Sequence, residues 1–121
     1  MQTVMQATRR HPSTATFQVA AAVDDYLACL ADLAHVAPES VDGKLQELNA
    51  AVSVIRVQSA GRFEVHATCV DLLIGHAELV YSLSLTRGRT GWRRQHELLQ
   101  VQTRRAEALL RIALEPLAPA R

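Results

Sequence analysis

A chain of 121 residues is long enough for one domain with one hydrophobic core and too short for two. With 49% apolar and 21% charged residues, five glycines and four prolines, its composition is that of a folded chain rather than a disordered one. A formal net charge of +1 argues against generic polyanion binding by the whole molecule.

The charge is unevenly spread. Residues 1–20 hold Arg9 and Arg10 and no acid, residues 21–85 carry nine acids against three bases, and residues 86–121 carry eight arginines against three acids. An acidic body is thus followed by a basic C-terminal third. Twelve of the thirteen basic residues are arginine, which reads as GC-rich coding before it reads as bidentate recognition.

In chain order, residues 1–12 read as a flexible arm. Arg9-Arg10 followed by Ala15 to Val23 faintly resembles the start of an export signal, but Thr16 and Gln18 break the run and it continues into helical periodicity. The expectation is a cytoplasmic protein. From Thr14 to Val36 the residues Val19, Val23, Tyr26, Leu27, Leu30, Leu33 and Ala34 share one helical face, with Asp24, Asp25 and Asp32 opposite. Ser13 or Thr14 would cap this helix.

After Pro38 a second helix is expected from about Ser40, with Val41, Leu45, Leu48, Val52 and Ile55 at three- and four-residue steps. The third segment, Arg62 to Leu85, has to be tested as a strand, since residues 52–70 are rich in β-branched side chains around Ser59-Ala60-Gly61 and would pass for a hairpin. Helical projection organises it better, because Glu64, Asp71 and Glu78 fall seven apart along one ridge while apolar residues fill about two-thirds of the circumference. No proline separates the second and third helices, so a single continuous helix is the other alternative. The fourth helix, about Gly91 to Glu115, places Leu98, Leu99, Ala106, Leu109, Leu110, Ile112 and Ala113 on a broad apolar face and ends at Pro116. On its polar side Glu107–Arg111 and Arg111–Glu115 are spaced for i,i+4 ion pairs.

These elements make a single helical domain over residues 13–116, followed by a tail at 117–121. The expected fold is all-α, an up-and-down four-helix bundle, because four similar helices are joined by short connections. The surplus apolar surface of the third helix implies a covering partner, and a homodimer is the commonest solution. Val65, Leu72, Leu79 and Leu83 are the expected contact residues of that protein-binding face.

The stretch Leu85 to Arg94 concentrates Arg87, Arg89, Arg93 and Arg94 around two glycines. Arg87 and Arg89 suit the C-terminal end of a helix dipole, whereas Arg93 and Arg94 occupy a first turn where acids are preferred. The four are candidates for holding an anion or an acidic partner. They are also the core of a different reading, a nucleic-acid-associated regulator, which the interleaved glutamates and the single Trp92 disfavour. No apolar run approaches the roughly 18 to 20 residues of a membrane span. His66 and Cys69 stand at a workable i,i+3 spacing for a metal, but His76 is turned away from His66 and no HExxH or ExxH pattern accompanies them; no catalytic motif is present, and no cofactor is implied. The reading is a non-catalytic protein-binding domain of the adaptor, chaperone or inhibitor kind.

Overall fold

Two breaks among the described residues shape the computed structural model, which describes residues 14–86 and 92–115. Helix α1 spans Thr14–Leu33, α2 Val41–Ser59, α3 Phe63–Thr86 and α4 Trp92–Leu114, with a short 3-10 turn at Pro38–Ser40. Among the described residues there is no strand, so the chain is all-helical with four helices.

The first break comes earlier than the periodicity suggests. Beyond Leu33 the backbone tightens to i→i+3 bonds, His35 N–H to Asp32 O at 3.0 Å and Val36 N–H to Leu33 O at 3.4 Å, because Pro38 has no N–H to continue the ladder. Ser40 precedes α2 but makes no side-chain capping bond. The second break settles the question of one long helix against two. Gly61 adopts φ of 80°, in the left-handed region that only glycine enters freely, and the chain turns there between α2 and α3. Residues 52–70 are accordingly helix, turn and helix, and the hairpin alternative falls.

Each helix packs on its neighbours in the chain and α1 also packs on α4, while across one diagonal the long Tyr26 side chain of α1 reaches His76 of α3. The α2–α3 contact is the thinnest of the four. Val19, Val23, Tyr26, Leu30 and Leu33 of α1 meet Val41, Leu45, Leu48, Val52 and Ile55 of α2 in one core, as their spacing predicts. Val65, Leu72, Leu79 and Leu83 of α3 join them, with Leu99, Ala106, Leu109 and Ala113 of α4.

The surface ion pairs are fewer than the sequence suggests. Lys44 bonds Asp32 and Glu47, both at 3.1 Å, and Arg62 bonds Glu64, whose carboxyl is held below its ordinary pKa by its own backbone N–H and then by Arg62. Glu107–Arg111 and Arg111–Glu115 do not close among the described residues.

Candidate interaction surface

Helix α3 meets its surroundings with two apolar sides. Val65, Cys69, Leu72, His76, Leu79 and Leu83 point inward and are buried. At about 100° per residue, Phe63, Ala67, Val70, Ile74, Ala77, Tyr81 and Leu85 fall in a sector about 80° wide that is centred almost opposite them. All seven are exposed. Phe63 is 93% accessible, Tyr81 68% and Ile74 58%. An uninterrupted apolar ridge therefore runs the length of α3, about 33 Å at 1.5 Å per residue.

This corrects the expected contact set. Val65, Leu72 and Leu79 have no accessible surface and Leu83 only 3%, so they hold the chain's own helices together and have nothing to offer a partner. Counting apolar residues around α3 located the surplus on the right helix but could not say which side the core would take. The discriminating signal was the four- and three-residue stepping from Phe63 to Tyr81, which repeats the core-facing period on the opposite side. By length and composition Phe63–Leu85 is also apolar enough to cross a membrane, contrary to the expectation from the sequence. That apolarity is divided between the core and the ridge.

One edge of the ridge is acidic. Glu64, Asp71 and Glu78 line the side toward α4, all exposed, and α3 contains no Lys or Arg. Among the described residues Asp71 and Glu78 form no ion pair with Arg105 of the same chain. Arg105 is half-buried and its Nη1 donates instead to Oε1 of Gln102 at 3.2 Å.

Gln102 opens a hydrogen-bonded chain through the interior that involves all four helices. Its Nε2 donates to the Leu72 carbonyl at 2.7 Å and to the Tyr26 hydroxyl at 3.0 Å. With that lone pair taken, Tyr26 donates to Nδ1 of His76 at 2.9 Å, and Nε2–H of His76 donates to Oδ1 of Asn49 at 2.7 Å. The order requires neutral His76, and burial pushes its pKa down in the same direction. Burial pushes the Tyr26 hydroxyl strongly up, so it stays protonated and able to donate. Gly75 lets α4 approach here, since a Cβ at that position would overlap Nη1 of Arg105 and Oε1 of Gln102. Periodicity did not flag Gln102 because a lone glutamine on an apolar face looks like an exception until its partners are known.

The remaining candidates are less organised. Arg87 and Arg89 lie outside the described residues. Arg93 and Arg94 fall in the first turn of α4, which has no acid, and their side chains lie outside the described set. Next to them Gln95 is 1% exposed, with neither amide atom bonded among the described residues. His66 is exposed, Cys69 buried, and both ring nitrogens of His76 are engaged, so the three do not converge. No group of three His, Cys, Asp or Glu among the described residues is placed to hold a metal ion. Between α1 and α4 an open groove of about 300 Å³ runs past Leu30, Ala34, Leu99 and Arg104, but Thr103 spends its hydroxyl on the Leu99 carbonyl and His96 is bonded to Gln100.

Comparison with protein-family models, with curated proteins and with solved structures returns no match for this chain.

Proposed function

We propose that this chain is a small non-catalytic protein-binding domain, a cytoplasmic up-and-down four-helix bundle that acts through the outward ridge of α3 and associates there with a second copy of itself. The observation that carries the reading is the ridge from Phe63 to Leu85, apolar at every step and exposed along its whole length. Contiguous apolar surface of this extent marks association sites on soluble proteins. Burying large apolar side chains such as these stabilises by about 1.5–3 kcal/mol each.

Two features support the rest. The polar groups of the interior are committed to one another, with Tyr26, His76 and Gln102 bonded in sequence, which suits a specified core better than a reaction centre. The basic residues described on α4 share their surface with acids, as exposed Arg104 and Arg111 do with Glu97 and Glu107, which suits protein recognition better than a nucleic-acid track. Asp32 at the end of α1 is bonded to Lys44 at the start of α2, as an antiparallel turn requires.

Light scattering of the untagged chain across a dilution series tests the proposal. A mass that falls from two copies to one on dilution, with a 260/280 nm ratio typical of protein alone, is the expected result. One copy at every concentration contradicts the self-association, and nucleic acid that co-elutes at low salt contradicts the choice of partner.

A further inference from the structure

We infer that two copies pair antiparallel along α3 about a two-fold axis at Ile74, bringing the acidic rows of both copies to the same edge of the interface. The inference rests on the protein-binding reading above and gives it a geometry.

The spacing of the ridge is symmetric about Ile74. Phe63 and Leu85 lie eleven residues to either side, Ala67 and Tyr81 seven, and Val70 and Ala77 four and three. In an antiparallel pair Ile74 meets itself, Phe63 meets Leu85 of the second copy, Tyr81 covers Ala67 and Val70 covers Ala77. At the Tyr81–Ala67 and Val70–Ala77 levels a larger side chain faces a small one, which is how packed helices interdigitate. A parallel pair would instead set Tyr81 on Tyr81 and Ala67 on Ala67, crowding one level and leaving a gap at another. At the 150–250 Å² that an aromatic side chain buries, the exposed ridge offers on the order of 600 Å² per copy. That reaches the lower bound of about 1,200 Å² in total for a stable interface.

The charges follow from the same symmetry. A two-fold perpendicular to both helices keeps each flank on its own side, so Asp71 of one copy lies opposite Glu78 of the other; α3 itself has no cation, and the Arg105 guanidinium of α4, bonded to Gln102, reaches this edge at Gly75. The opposite edge carries His66, Leu73 and Ser84. Like-charged neighbours on helices weaken association by about two-fold each, too little to cancel the apolar burial and enough to be measured. With Asp71 and Glu78 against one Arg105 per copy, the repulsion is only partly offset, and the dimer tightens by about two-fold as salt rises from about 50 mM to about 500 mM, since added ions screen it.

Cysteine cross-linking of the full chain in a Cys29→Ser background tests the arrangement, with Cys69 left buried in the core and solution mass read beforehand. Ile74→Cys is expected to cross-link to itself. Ala67→Cys is expected to cross-link to Tyr81→Cys in a mixture but not to itself, because two copies of position 67 stand about 21 Å apart across the axis. Self-linking of Ala67→Cys overturns the antiparallel order. A dimer that forms none of these bridges, or that loosens with salt, overturns the geometry and leaves self-association standing through another face. A monomer at all concentrations, whether or not it sediments with lipid vesicles or binds another protein, overturns both.

Discussion

Val65, Leu72, Leu79 and Leu83 on one side of α3, and Phe63, Val70, Ile74, Tyr81 and Leu85 on the other, differ little in chemistry and completely in surroundings. The first set is sealed against α1, α2 and α4, and the second faces outward. A helix that is apolar on opposite sides has two separable tasks, and its average hydropathy cannot divide them. Only the packing of neighbouring helices decides which side the monomer consumes, and what is left over is the surface available to a partner.

Substitutions sharpen the contrast. The largest effect is expected from Leu72→Asp, which buries a carboxylate with no partner and costs more than about 4 kcal/mol, enough to abolish cooperative unfolding in urea. The interior hydrogen-bond chain comes next. Tyr26→Phe leaves Nδ1 of His76 without its donor and lowers the urea-derived stability by about 1–3 kcal/mol, whereas Gly75→Ala displaces only the ends of the Arg105 and Gln102 side chains and gains helix propensity, so its loss is smaller.

His76 supplies a smaller, pH-dependent effect. Its pKa in the folded chain lies below the ordinary value of 6.5, so the unfolded chain binds the proton more readily. The stability that neutral His76 contributes is complete above pH 6.5 and is lost as the pH falls through its folded value. Thermal melts between pH 7.5 and 5 should show this decline. His76→Gln, whose amide can accept from Tyr26 and donate to Asn49, should melt with a weaker slope over that interval. At the bottom of the scale, Lys44→Ala breaks two exposed ion pairs and should leave the urea midpoint almost unchanged.

Much of the helical layout was legible because the core residues of α1 and α2 keep a three- and four-residue step, and because Pro38 stops the first helix. The turn between α2 and α3 was less legible, since it depends on the positive φ of Gly61, which leaves no compositional mark beyond one glycine. The candidate surface was half legible. Periodicity identified α3 as carrying more apolar surface than one face needs, yet it assigned contact to Val65, Leu72, Leu79 and Leu83, the residues that the neighbouring helices cover. The acidic row was read as a ridge, and its three carboxylates do lie exposed along one edge of α3.

The most direct test of the division of labour on α3 is the solution mass of Ile74→Glu by light scattering, with its helical circular dichroism recorded on the same sample. The account predicts a monomer with the helicity of the parent chain, where the parent chain is a dimer. An unfolded Ile74→Glu, or one that remains as dimeric as its parent, would contradict it.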